Sequence, residues 1–381
     1  METPTIRFKG YTEELESVTA GELFCERKEK GNEALPILSL SIHTGISDHE
    51  LDDDESSKKV KRSEDKSLYK TVHTHDLAFN MMRAWQGAFG VAMVDGMISP
   101  AYIVARPIKE IYPEFLNYYV QTPYFINQAN NLSYGVTDFR KRLYWDSFCK
   151  IKMNLPIIEE QIKIANLFQE IDEVIAETQK ESRALTKKKT GIMRKVFLRQ
   201  VRFKDDKNND YPEWIEKTLG EIAELYQPAT ISKAQCMEDA EYPVFGANGI
   251  IGRYNKKNHD NDQVCISCRG ANCGFVNYVN APVWITGNSM VCNVDNNSEI
   301  NKHFLYHLLS FTNFKPVITG GAQPQLTRDK LRAVRLNIPI MEEQAKIADF
   351  LDEFDRIIEF TNQELEKWKL LKKGLMQQMF I

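Results

Sequence analysis

Apolar positions recur every three or four residues over two long stretches of the chain. In the first they fall at Ile158, Ile162, Ala165, Phe168, Ile171 and Ile175, then more sparsely at Leu185, Ile192 and Val196. In the second they fall at Met341, Ala345, Ala348, Leu351, Phe354, Ile358, Leu365, Trp368, Leu371, Leu375 and Met379. This spacing draws one apolar stripe down each helix, with charged residues on the other faces. Pro156 and Pro339 punctuate the starts, and Glu159-Glu160 and Glu342-Glu343 suit the positive end of a helix dipole. Lysines at 187–189 and 372–373 load the other ends. At 1.5 Å per residue, a helix of some 39 residues is a rod of about 58 Å. Such a rod is too long for one small core, so the two stripes are expected to bury each other in a coiled-coil seam. The seam residues are Ile162, Phe168, Ile175, Leu185 and Ile192 from one helix, and Leu351, Ile358, Leu365, Trp368 and Leu375 from the other.

The two stretches are copies. Residues 151–197 align with 334–380 without a gap at an offset of 183, and about 18 of the 47 positions are identical. "NLPIIEEQIKIA" (154–165) and "NIPIMEEQAKIA" (337–348) head the two helices. The duplication extends further. Ile6-Arg7-Phe8-Lys9 matches Val201-Arg202-Phe203-Lys204, and Gly21-Glu22-Leu23 matches Gly220-Glu221-Ile222. The segment that follows the first helix therefore has its twin at the start of the chain, which places the two termini close in space.

Between the helices lie two variable blocks, about 24–150 and 223–333. Strand-like runs ("GVAMV", "AYIVA", "QVCIS", "MVCNV") alternate with glycine turns and short amphipathic stretches, "FLNYYV" and "FLYHLL". Gly87-Ala88 with Gly90 is paired with Gly270-Ala271 with Gly274. The expected fold is mixed α/β (α+β): two related globules on two long antiparallel coiled-coil helices, with a pseudo-twofold internal repeat.

The net charge of −4 argues against a polyanionic partner until its distribution is read. Residues 1–55 sum to about −9 and 201–250 to about −5, whereas 56–150 sum to about +5 and 251–333 to about +4. Local charge, not the total, steers nucleic acid. Seven cysteines scattered through a large chain read as reduced thiols. Cys265 and Cys268 lie in a strand-like run and point to opposite faces, so no metal is expected there. His303 and His307 read as helix-face histidines, because the glutamate of a zinc-protease helix is missing. The acidic run Asp48–Ser57 reads as a solvated loop. Phosphate loop, nucleophile elbow and methyltransferase signatures are not found, so no catalysis is expected of this chain.

Binding side chains are plentiful. The first block offers Arg83, Trp85 and Gln86 in one stretch, and Tyr134, Arg140, Lys141, Arg142 and Tyr144 in another. The second offers Asn248, Arg253, Tyr254 and Lys256, then Arg269 and Asn272, then Gln323, Gln325 and Arg328. Arg, Asn and Gln make paired hydrogen bonds to purine edges in the major groove, and Lys and Arg suit phosphates. Arg253 and Gln325 are expected to be among the base-contacting side chains.

The whole plan, and above all the two proline-Glu-Glu-Gln helix heads, resembles the specificity subunit of type I restriction-modification systems. "WIEKTLGEIAEL" (214–225), "VFGANGIIGRYN" and "TGGAQPQLTRDKL" fit as well; Leu15 and Ala20 depart from Trp214 and Leu219. The resemblance implies target recognition domains over 1–150 and 201–333, and helical spacers over 151–200 and 334–381. It implies that each domain reads one half of a split, asymmetric site on double-stranded DNA, and that the helices set the unread gap. It also implies docking of two modification subunits carrying S-adenosylmethionine for adenine N6 methylation. Restriction subunits would add ATP- and Mg-dependent translocation and cleavage, this chain holding no cofactor itself. The other reading of the residues is a stand-alone coiled-coil DNA-binding regulator. No apolar run is long enough for a membrane helix and the N-terminus lacks a secretory layout, so a cytoplasmic place is expected.

Overall fold

The computed structural model describes residues 4–32, 34–42, 45–47, 68–135, 140–321 and 323–380; the acidic run 48–57 lies outside them. Two helices dominate, Ile158–Phe197 and Met341–Met379. The chain divides within both helices. It forms two compact units, residues 1–178 with 364–381 and residues 179–363, so each unit owns half of each long helix. Among the described residues, no helix is long and apolar enough to cross a membrane.

The helix halves run antiparallel within each unit. In the first, Asp172 accepts Lys372 Nζ at 2.6 Å and Phe168 packs on Phe380. In the second, Ser182 Oγ donates to Asn362 at 2.6 Å and Lys189 meets Asp355 at 2.5 Å. Phe168 and Leu351 are fully buried and Leu365 nearly so, while Ile162, Ile175, Leu185, Ile192, Ile358, Trp368 and Leu375 are half-buried.

Each globule contains a four-stranded antiparallel sheet of the same order. In the first unit the order is Phe24–Arg27, Tyr102–Pro107, Leu77–Asn80, Phe89–Val91. In the second it is Glu224–Tyr226, Ser289–Asn293, Gln263–Ser267, Val276–Val279. The four runs read as strand-like all contain a strand. Within Gln263–Ser267 the alternation sends Val264 and Ile266 to one core cluster and Cys265 to another, and Cys268 joins the first. Burial pushes the Cys268 thiol up to about 12, which keeps it protonated as core packing. The ladder corrects the glycine pairing. Asn80 N donates to Ala88 O and Ser267 N to Phe275 O, so Gly87 corresponds to Gly274, not Gly270. Both adopt left-handed φ, 96° and 95°.

The Glu-Glu-Gln helix heads do more than complement a dipole. Glu160 and Glu343 are completely buried, and each grips the arginine of the repeated lead-in. Arg7 meets both oxygens of Glu160 at 2.9 and 2.6 Å, and Arg202 meets both of Glu343 at 3.3 and 2.8 Å. Trp214 Nε1 donates to Glu343 at 3.1 Å, a contact that Leu15 cannot reproduce in the first unit. The next residue ties on the globule: Gln161 accepts from Tyr112 N, and Gln344 accepts from Asn301 N. Ile6 N donates to Gln378 O at 3.1 Å, which brings the two ends of the described chain together.

A second node repeats with a different chemistry. Tyr118 donates to Asp172, which also holds Lys372. At the matching places stand His307, Asp355 and Lys189, with the His307 Nδ1 4.0 Å from Asp355. His307 is fully buried, its Nε2 is 2.7 Å from Asp352, and His303 Nδ1 lies 2.8 Å from the other oxygen of Asp352. Burial pushes the His307 imidazole below its ordinary value, against the opposing pull of Asp352. Lys189 supplies the positive charge among these carboxylates, so the folded unit keeps His307 neutral. The unfolded chain titrates its histidines near 6.5 and then binds more protons than the folded one. Stability contributed here is therefore present at neutral pH and lost as pH falls through about 6.5. Urea midpoints at pH 7.5 and 5.5 should drop less on acidification in His307→Tyr, which copies Tyr118, than in the parent chain. An equal drop in both would show that His307 is not the titrating group.

Candidate nucleic-acid interface

In the first unit, two separated stretches meet at one end of the sheet. The strand Leu77–Asn80 leads into a turn carrying Met82, Arg83, Trp85 and Gln86, with Trp85 Nε1 donating to Met82 O at 3.0 Å. A hairpin closes over it: Tyr134 N donates to Arg142 O at 3.1 Å, Arg142 N to Tyr134 O at 2.9 Å, and Leu143 N to Met81 O at 3.0 Å. Met82, Tyr134, Arg140, Lys141 and Arg142 line one shallow cavity with Tyr144, whose ring packs 4.9 Å from Tyr134. Arg83, Gln86, Arg140 and Arg142 are exposed.

The second unit builds the same arrangement from different side chains. Gln263–Ser267 leads into the turn carrying Arg269 and Asn272. Thr319 N donates to Gln325 O at 2.9 Å, Gln325 N to Thr319 O at 2.7 Å, Leu326 N to Cys268 O at 2.9 Å and Gly270 N to Pro324 O at 3.2 Å. Arg269, Asn272, Gln323 and Gln325 are exposed together there. The turn bearing Asn248 is drawn to the same end, because the Ser289 hydroxyl donates to Gly246 O at 2.8 Å and the Ser267 hydroxyl to Ala247 O.

Each hairpin carries a glycine directly after its first paired residue. A Cβ at Gly135 would collide with the Arg140 carbonyl, and one at Gly320, where φ is +84°, with the Gln323 carbonyl. The shared Tyr134-Gly135 and Thr319-Gly320 pattern is a signal in the sequence that sequence reasoning passed over.

Four residues named from the sequence are placed elsewhere. Arg253 spends Nε and Nη2 on the carbonyls of Ala240 and Glu241, pinning the loop that precedes its neighbouring strand. Tyr254 packs edge-on against Trp284 at 5.3 Å. Arg328 opens the short helix Arg328–Arg332 and borders a separate depression with Gly220, Glu221 and Asn297. Lys256 is exposed beyond the strand Ile250–Tyr254. Arg253 thus commits two of its nitrogens to backbone carbonyls, whereas Gln325 stands exposed at the end of the sheet beside Arg269.

The molecule is thus a duplicated protein presenting two differently decorated hairpin platforms, each anchored to paired helices. Residues 211–369 match the family model for the type I restriction modification DNA specificity domain. The EcoprrI specificity subunit of Escherichia coli is 31% identical over 208 residues, covering 54% of this chain and 50% of that one. The putative MjaX specificity subunit of Methanocaldococcus jannaschii is 27% identical over 246 residues, covering 59% of this chain and 57% of that one. The chain spans about half the length of these curated relatives. The crystal structure of a type I restriction-modification S subunit from M. genitalium shares the fold, with a TM-score of 0.64 at 16% identity over 100% of this chain and 99% of that one. A structure from work on complex assembly and conformational transition of the type I system does so with a TM-score of 0.58, also at 16% identity, over 98% and 99%. Residues 211–369 are thus similar to the type I restriction modification DNA specificity domain, and the chain shares the fold of the solved S subunits.

Proposed function

We propose that this chain is the DNA-reading, non-catalytic subunit of a type I restriction-modification complex, working in the cytoplasm. Each unit reads one half of a bipartite, asymmetric site, and the paired helices set the gap and dock two adenine-N6 methyltransferase subunits. S-adenosylmethionine would sit on those partners, and ATP and Mg on a restriction subunit. One observation carries the reading: the same framework occurs twice, yet the exposed platform residues differ completely. A protein that needed one chemistry twice would repeat the side chains; one that reads two unlike half-sites varies them on a constant support.

The test is sequencing of methylated genomic DNA from cells with and without the gene. The expected result is a two-part motif with a fixed unread gap that disappears on deletion. Adding one helical turn to each rod should lengthen the gap, since readers must return to the same groove face about one DNA turn, roughly 34 Å, apart. A gap of unchanged length would refute the spacer role. A chain that purifies without methyltransferase and leaves methylation untouched would instead be a stand-alone DNA-binding regulator.

A further inference from the structure

Strand geometry turns each platform into a row of three side chains. In the second unit, the bonds Gly270 N to Pro324 O and Leu326 N to Cys268 O flank Arg269 and Gln325, so these two are direct antiparallel neighbours. Gln325 also sits opposite Thr319. Residues directly opposite share a face, so Thr319, Gln325 and Arg269 stand side by side. In the first unit Tyr134 is opposite Arg142, and the Leu143 N to Met81 O bond puts Met82 in the place of Arg269. The residue after each central one turns inward: Leu143 is fully buried and Leu326 is 1% exposed. Both rows therefore face outward, with Tyr134 at 60% and Met82 at 47% exposure.

Strands lie about 4.8 Å apart, so a three-residue row spans roughly 10 Å, the length of about three stacked base pairs. A narrow β-ribbon also fits the major groove, which is about 12 Å wide. We propose that these two rows are the base-reading elements of the two units and that they select different base classes, a step that rests on the bipartite reading above. Arg269 presents two parallel donors, the match for guanine O6 and N7, and Gln325 presents a donor and an acceptor, the match for adenine N6 and N7. Thr319 adds a hydroxyl that suits either kind of base edge. The second unit then takes a half-site with adenine and guanine at adjacent steps. In the first unit Arg142 takes guanine, flanked by the apolar faces of Met82 and Tyr134, which suit a thymine methyl and reject an exposed amino group. That half-site holds guanine next to thymine.

The experiment expresses the full chain together with its methyltransferase partners and sequences the methylated DNA for the parent, Arg269→Gln, Gln325→Arg and Arg142→Gln, with Arg335→Ala, 73% exposed, as a control outside the rows. All four side chains are exposed, so melting temperatures should not move. Discrimination at one base should fall by roughly ten- to hundred-fold for each row variant, the value of one bidentate contact. The change should be confined to the half read by the altered unit, and the control should keep the parental motif. A bipartite parental motif left unchanged by the row variants would overturn the row assignment while the wider reading stands. So would a parental half-site without adjacent adenine and guanine. A parental methylome without any bipartite motif would overturn both.

Discussion

Replacing Glu343 by alanine should cost the second unit about 3–5 kcal/mol, the usual penalty for removing one partner of a buried ion pair. Glu343 has no solvent exposure and serves two donors, Arg202 and Trp214. Its removal takes the buried carboxylate from a guanidinium that is only 19% exposed, leaving it Pro212 O and Glu213, and it leaves the buried Trp214 indole N–H without its acceptor. Urea denaturation read by tryptophan fluorescence measures the loss. Arg202→Ala should cost a similar amount, and the double variant should cost clearly less than the sum, because the second substitution removes a group the first has already stranded. Glu160→Ala in the first unit should cost about 1 kcal/mol less than Glu343→Ala, since no tryptophan donates there. A loss below 1 kcal/mol for Glu343→Ala would mean that the helix head is held by its packing and not by this pair.

Phe380→Ala is expected to have an effect of the same size in the first unit. Its ring is 5% exposed and contacts Phe115 at 5.4 Å, Phe168 at 5.6 Å and Tyr119 at 5.8 Å. Truncating a buried phenylalanine costs about 3–5 kcal/mol through lost burial and the cavity left behind. Because Ile6 N bonds to Gln378 O two residues away, the end of the helix and the opening arm should loosen together. Hydrogen exchange at the Ile6 amide is the sensitive readout. Accelerated exchange with preserved exchange in the 77–80 strand is the expected pattern, and an unchanged Ile6 amide would separate the arm from the aromatic cluster. Phe197, the equivalent residue of the first helix, makes the corresponding contacts with Phe304, Phe311 and Trp214.

Much of the architecture was legible before any coordinates. A repeat at constant offset can be compared position by position, and helical periodicity is strong over some forty residues; both long helices lie where the stripe put them. Strand-like runs were found for the same reason, since a buried strand must be apolar whatever its neighbours. The candidate interface was half legible. Residue types marked Arg83, Arg142, Arg269 and Gln325 as able to read bases, and the fold brings those of each unit to one end of its sheet. Met82 and Thr319 were missed because neither carries an obvious nucleic-acid chemistry, and only strand pairing puts them in the rows.

What was not legible shares one cause. The arginines that meet Glu160 and Glu343, the carbonyls that Arg253 holds and the pairing of Gly87 with Gly274 were not readable from the sequence. In each instance composition and spacing left several partners open, and a distant backbone or side chain chose among them. Local sequence dictates period, and period dictates which face of an element must leave water. Periodicity alone settled the duplication, the two rods and the strands. The partner of a given polar group is chosen by geometry that the period does not encode, across 153 residues for Glu160, 141 for Glu343 and 13 for Arg253, since hydrogen bonding is directional and short-ranged. For that reason the burial of the glutamates, the true register of the glycines and the side-by-side placement of Tyr134, Arg142 and Met82 emerged only with the tertiary structure.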